Sequence, residues 1–204
     1  MGSHAVTWPL HALVLTTPSL VLRGMTEADA YALASAVPDD LEHSPRLPAF
    51  SAGANVLQAY WSQLGQWRIN DWVQPFTVLL DNVPVGLQAL EGKDFRVRRT
   101  VDTHSWLVSS VRGRGLGKQM RAAVLSLAFD HLAAEYAITE AWEDNAASLA
   151  VSRALGYVDN GIDLHSRDES LGRMQRLILP RPSWTSPVPV TVAGVEDCLP
   201  LFGL

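Results

Sequence analysis

The spacing of apolar and polar positions changes along the chain, and each change marks an element. Residues 19–23 read as a strand, with Leu20 and Leu22 alternating against Ser19, Val21 and Arg23. Thr26-Glu27-Ala28-Asp29 supplies a helix cap followed by acids, which predicts a helix to about Val37, where Pro38 stops it. Pro45 and Pro48 mark a loop, and residues 54–72 form a second, aromatic-rich helical stretch containing Tyr60, Trp61 and Trp67, with Gly65 as a candidate break. The period then shortens to that of strands. Residues 76–80 and 85–90 flank the turn residues Asp81, Asn82, Val83 and Pro84, as in a hairpin. After a connection at 92–96, residues 99–109 form a third strand. It carries Val101, Thr103, Ser105 and Leu107 on one face, and Asp102, His104, Trp106 and Val108 on the other.

Past mid-chain a glycine-rich loop opens an amphipathic helix in which Leu116, Met120, Ala123, Val124 and Leu127 recur. A short strand at 136–141 and a helix at 145–155 follow, the latter closed by Gly156. Closing strands at 157–164 and 174–179 complete an α+β order with a mixed sheet. Pro180, Pro182, Pro187 and Pro189 then stiffen a connection to an apolar tail ending Leu199-Pro200-Leu201-Phe202. The expected division is a domain over 19–184, followed by a Pro-rich linker and tail over 185–204.

Composition narrows the function classes. In 204 residues, 48% are hydrophobic and 18% charged, enough for a packed core. A net charge of −5 argues against nucleic acid as partner. Cys198 is the single cysteine, so no internal disulfide forms. No apolar run has a membrane-spanning length, and the first residues lack the pattern of a secretory signal. The expectation is a cytoplasmic protein with no membrane partner. The six histidines are scattered without metal-ligand spacing, so no metal is expected. The tail is expected to be docked rather than free in water, and with no obvious element left to cover it a homo-oligomer is predicted.

The glycine loop carries the most chemistry. Gly113, Gly115 and Gly117 lie between a strand and a helix, where the backbone can approach a ligand and unpaired N–H groups favour phosphate. Arg112, Arg114, Lys118 and Arg121 add positive charge to an acidic chain. The spacing is not that of a P-loop, because Gln119 follows Lys118, nor of a dinucleotide fingerprint, because Lys118 stands where its last glycine should be. What remains is Arg112-x-x-Gly115-x-Gly117.

That motif after a strand, with Asn145-Ala146-Ala147-Ser148 and Leu155-Gly156-Tyr157 downstream, resembles the GNAT superfamily of acyl-CoA-dependent N-acyltransferases. The form with Trp106-Leu107 before the loop is most similar to its RimJ/RimL branch. The resemblance implies a mixed sheet splayed at the acyl-CoA site and flanked by helices. It also implies an enzyme that moves an acyl group, acetyl before succinyl, from acyl-CoA to a primary amine. The acceptor would be a protein N-terminus, a lysine or a small amine. The loop Arg112, Gly113, Arg114, Gly115, Leu116, Gly117 and Lys118 would hold the pyrophosphate. Trp106, Leu107 and Val108 would border the pantetheine and polarise the thioester carbonyl, and Asn145 and Ser148 would meet the pantetheine arm. For Asn145 a plain helix cap explains the residue equally well. A non-catalytic CoA-binding sensor on the same fold is the rival reading.

One position departs from the family. Where many members place a tyrosine that protonates the leaving thiolate, this chain has Ser152. Ser152, Ser148 or water is left as the acid. For the base that must take the ammonium proton, the central strands offer His104 and Glu91, with Asp102 placed to orient His104. Trp61, Trp67 and Trp72 suggest an aromatic wall on the acceptor side, although core packing accounts for them as well.

Overall fold

Thr26 starts the first helix with a reciprocal cap. Its Oγ1 accepts from Asp29 N at 3.3 Å while Asp29 Oδ2 accepts from Thr26 N at 3.0 Å. Arg23 closes on the same carboxylate at 2.7 Å, which lets Asp29 be buried. The helix, α1, spans Glu27–Ala34, shorter than expected. The last turn tightens, with Ala36 N donating to Leu33 O, because Pro38 disfavours helical backbone at Val37. These features come from a computed structural model describing residues 7–41, 51–167 and 169–204. The loop expected at Pro45 and Pro48 lies outside the described residues.

The second helix, α2 (Ala52–Gly65), is capped by Ser51 and ends at Gly65 rather than running to Trp72. Arg68 and Asp71 then exchange backbone bonds in a turn, and Trp72 opens a strand. Nine strands form one sheet among the described residues: β1 (Val14–Thr16), β2 (Val21–Gly24), β3 (Trp72–Leu80), β4 (Val83–Gly92), β5 (Thr100–Leu107), β6 (Tyr136–Trp142), β7 (Val158–Arg167), β8 (Ser170–Pro180) and β9 (Thr191–Ala193). Their order is β7-β8-β6-β5-β4-β3-β2-β1-β9. Asp81 and Asn82, both at positive φ, make the two-residue turn between β3 and β4. Pro75 sits inside β3 without breaking it. Its carbonyl accepts from Met25 N, so its missing N–H faces the side where β2 has already ended.

All pairings are antiparallel except β5 with β6. That parallel contact covers only Thr100↔Tyr136, Val101↔Ala137 and Asp102↔Ile138 before the strands part. A short helical turn, α3 (Phe95–Arg98), links β4 to β5. The helices α4 (Leu116–Ser126) and α5 (Ala146–Ala154) lie in the second half. Leu116, Met120 and Val124 of α4 enter the main core with Phe76, Val101 and Leu107, on one face of the sheet. Ala30, Leu33, Val56 and Tyr60 of α1 and α2 pack a smaller core with Leu87 and Ala89 on the other. The sheet is therefore open and mixed, with helices on both faces.

Residues 185–204 add to this core. β9 pairs with β1 through Leu15↔Val192, and Val195, Cys198 and Phe202 are buried. Phe202 lies 4.8 Å from Trp72 and 5.8 Å from Trp67, ring centre to ring centre. The apolar tail is thus covered by its own chain, and the reason for expecting self-association through it disappears. Burial raises the Cys198 thiol to about 11, with the charge of Asp197 adding to the effect. Phe202→Ala is expected to cost about 3–5 kcal/mol by opening a cavity among these rings. Thermal unfolding should show a drop on the order of 10 °C; an unchanged midpoint would refute the docking.

Candidate active site

Where β5 and β6 diverge, a cleft of about 1250 Å³ opens through the sheet. Thr139 Oγ1 donates to Thr103 O at 3.0 Å and closes its narrow end. Beyond that bond the backbone of β5 faces empty space. The carbonyls of Arg99, Thr103 and Leu107 all point to the β6 side, where they accept from Glu135 N, Thr139 Oγ1 and Arg112 Nε. Backbone direction alternates along a strand, so Ser105 and the Leu107 N–H face the gap too. Trp106 and Val108 face β4, and Val108 N donates to Val85 O at 2.9 Å. This corrects the expected donors by one position: Val108 is already bonded, and Ser105 takes its place. The alternation was legible in the sequence, but not which parity met the gap.

At the wide end lies the glycine loop. Gly113 and Gly115 both have φ of +75°, and Gly115 caps α4 with no neighbour within 4 Å of an added Cβ. The first intrahelical bond belongs to Gln119, which donates to Gly115 O. The N–H groups before it are therefore open to an anion. Leu116 anchors the loop in the core, and Gly117 and Lys118 line the cleft. Two expected cations behave differently. Arg112 donates to Leu107 O at 2.9 Å and to Asp40 at 2.6 Å, and this hydrogen bond holds the Asp40 carboxyl below its usual value. Arg114 is exposed and is not part of the cleft lining. Asn145 Oδ1 caps α5 by accepting from Ser148 N at 3.0 Å, and both residues line the cleft.

The face covered by α1 and α2 brings the two candidate bases together. Glu91 pairs with Asp102 across β4 and β5, one diagonal from His104. Glu91 Oε1 lies 2.5 Å from His104 Nδ1, and the side chains are 37% and 47% exposed, so an acceptor can reach them. Burial pulls the His104 pKa down, but the Glu91 hydrogen bond and the charges of Glu91 and Asp102 outweigh it and raise it. Asp102 is pushed up to about 7 by burial and then by the charge of Glu91. Its Oδ1 accepts from Thr103 N, so Glu91, not Asp102, holds the imidazole.

Other expectations are overturned. Ser152 is fully buried: its hydroxyl donates to Ser148 O at 3.0 Å and accepts from Arg121 at 2.8 Å, and it does not line the cleft. It is not placed to protonate a leaving group. Arg121 is buried beneath the gap rather than displayed beside the loop. Trp67 and Trp72 belong to the core around Phe202, and exposed Trp61 donates to Glu27 at 3.0 Å. Tyr60, with Asn55, Val56 and Gln63 of α2, lines the cleft on this face, as does Trp106 of β5. Glu143 and Asp144 are taken up by Arg173 and Arg167, while Glu140 enters the cleft. Glu140 also meets Asp163 and His165 of β7, with potential ligand atoms all within 4.8 Å, a grouping that the scattered histidines did not foreshadow. Arg176 already lies 3.5 Å from Asp163.

Residues 19–158 match the family model for the acetyltransferase (GNAT) domain. The chain belongs to the GNAT acetyltransferase family. Solved structures share the fold of this GNAT protein at low identity. Mycobacterium smegmatis RimJ in complex with CoA-disulfide is 19% identical with a TM-score of 0.68, over 82% of this chain and 87% of that one. RimL, a ribosomal L7/L12 alpha-N-protein acetyltransferase in complex with coenzyme A, is 16% identical with a TM-score of 0.68, over 82% and 97%. A chimera of the spermidine N-acetyltransferase SpeG from Vibrio cholerae is 14% identical with a TM-score of 0.67, over 80% and 96%. No helix among the described residues is long and apolar enough to cross a membrane.

Proposed function

We propose that the chain moves an acetyl group from acetyl-CoA to a primary amine by direct attack. The observation that carries this reading is the Glu91–His104 pair standing at the edge of a gap whose β5 wall offers unpaired backbone donors. The open N–H groups of the loop at 113–118 hold the pyrophosphate. Ser105 and the Leu107 N–H pair with the pantetheine arm as a missing strand would, and a donor among them polarises the thioester carbonyl. Asn145 and Ser148 border the arm from α5.

The acceptor enters from the α2 side, past Tyr60. An alkyl ammonium has a pKa of about 10, so little is nucleophilic at neutral pH. Glu91 accepts the Nδ1 proton of His104, leaving Nε2 to take the proton of the amine. The amine nitrogen then bonds to the carbonyl carbon and gives up a second proton through the same imidazole, which has passed the first to solvent; the carbon–sulphur bond breaks, and coenzyme A leaves with the electron pair. RimL acts on a protein amine and SpeG on spermidine, and the acceptor here falls within that span: a protein N-terminus, a lysine or a small amine. Metal takes no part in this scheme, and the site of action is the cytoplasm.

A screen of peptide N-termini, lysine peptides and polyamines tests the proposal, with acetyl-CoA and succinyl-CoA as donors and thiol release as the readout. Acceptor-dependent release from acetyl-CoA is expected. Release from succinyl-CoA alone, or from neither donor with any amine, would refute it.

A further inference from the structure

Arg121 is the buried charge that the scheme above leaves unused. It is 4% exposed, yet among the described residues it has no carboxylate partner. One terminal nitrogen donates to Ser152 Oγ at 2.8 Å, the other reaches Ser105 Oγ at 3.4 Å, and Nε has no partner. Tyr157 OH is also buried here, facing Thr103 Oγ1. The guanidinium thus spans from α5 to β5 across the base of the gap, and it lines the cleft. Its hydrogen bonds go to hydroxyls alone, and Asp102, whose carboxyl burial pushes up to about 7, offsets the buried cation only in part, so further negative charge is favoured beside it. A guanidinium keeps its proton in proteins, so it acts by charge and not as an acid.

We propose that Arg121 is a catalytic residue that stabilises the coenzyme A thiolate as it departs, an inference that rests on the reading of the cleft as an acyl-CoA site. The amine forms the new carbon–nitrogen bond and gives its proton to His104. The carbon–sulphur bond breaks, and sulphur carries both electrons into the field of Arg121. His104 then releases its proton to solvent, and the thiolate leaves or is protonated there. The reactants are a thioester and an amine, and the products an amide and a thiol. Ser152 cannot supply a proton at this point because its own is given to Ser148 O. Its role is to position Arg121. The interaction strengthens only as charge develops, which is what lowers a barrier.

Binding alone tests this, without turnover. Calorimetry compares coenzyme A with S-methyl-coenzyme A, a thioether with no proton to lose, between pH 6 and pH 9. Asp102 of β5 and Tyr157 beyond α5 act on the guanidinium by charge, His104 of β5 feels its charge in turn, and Glu91 of β4 and Glu140 of β6 face Asp102. They act on both ligands alike, so the affinity ratio isolates the sulphur. In the unmodified protein the ratio should rise with pH by on the order of tenfold or more, as for a thiol whose pKa falls by about one from its usual 8.5. Arg121→Met should flatten the rise and Arg121→Lys should keep part of it. In turnover, Arg121→Met should lower kcat by on the order of 10²–10³ with the KM for acetyl-CoA little changed. Because a buried site can fail to fold when altered, the thiolate absorbance of coenzyme A bound to the unmodified protein gives the same answer. A bound thiol pKa at or above that of free coenzyme A overturns the proposal, as does an equal pH response in Arg121→Met. A preference for succinyl-CoA that Arg121→Met abolishes would assign the guanidinium to an acyl carboxylate and overturn it too. Failure of coenzyme A to bind at all would instead overturn the acyl-CoA reading, and this inference with it.

Discussion

His104→Ala is expected to lower kcat by on the order of 10²–10⁴ while coenzyme A affinity stays the same, because a positioned base contributes that much. His104 lies on the face opposite α4 and α5, away from the pyrophosphate loop, so its loss should not disturb cofactor binding. The pH profile carries the sharper signature. A neutral imidazole is the active form, so the rate falls as pH drops through the His104 pKa. That pKa is raised above the ordinary 6.5 of a histidine, so the acid limb lies above that value. Glu91→Gln removes the hydrogen-bonded charge that raises it, and the limb should move to lower pH as kcat falls. Asp102, near 7, titrates in the same window, so the limb reports His104 and Asp102 together. Steady-state kinetics from pH 5.5 to 9 on both variants would decide. If kcat/KM and its profile survive both changes, the base is water or the substrate itself.

Gly115→Trp should weaken coenzyme A binding by on the order of 10²-fold or more, roughly 3 kcal/mol. An indole at this position fills the space that the loop leaves open to a pyrophosphate. The φ of +75° strains any side chain, so Gly115→Ala is the needed comparison: the same strain with little bulk. Alanine should bind close to normally and tryptophan should not, with similar unfolding midpoints for the pair. Equal affinities in the two variants by calorimetry would remove the loop from the binding site.

Local signals in the sequence carried much of the architecture. The Thr26–Asp29 cap, the Asp81-Asn82 turn, the glycine loop and the Asn145 cap all act within a few residues, and each stands where its chemistry predicts. Helix ends were less legible. Residues 66–72 keep an apolar, aromatic content that suits a helix, and what sends Trp72 into a strand is its packing on Phe95 and Phe202. Parts of the site were hidden for the same reason. Glu91 and His104 meet only through the β4–β5 register, and nothing in either segment states that register. Arg121 looks like one more cation beside a basic loop. Helical phase instead turns it inward with Val124 and Leu125, onto hydroxyls contributed by two other elements. The tail read as unaccompanied because its partners, β1 and Trp67, lie far away along the chain.

The pairing of β9 with β1 has a consequence for synthesis. Leu15 emerges early from the ribosome and Val192 late, and Trp67 waits for the carbonyl of Leu201 in the same way. Until residues 191–202 have been made, β1 presents an open edge and the ring cluster lacks Phe202. Non-local closure of this kind is slow, and open strand edges invite pairing with other chains. Once β8 has been made, the nascent chain therefore holds a sheet with one unsealed border until residues 191–202 join it, the stage at which a holdase chaperone has the most to protect.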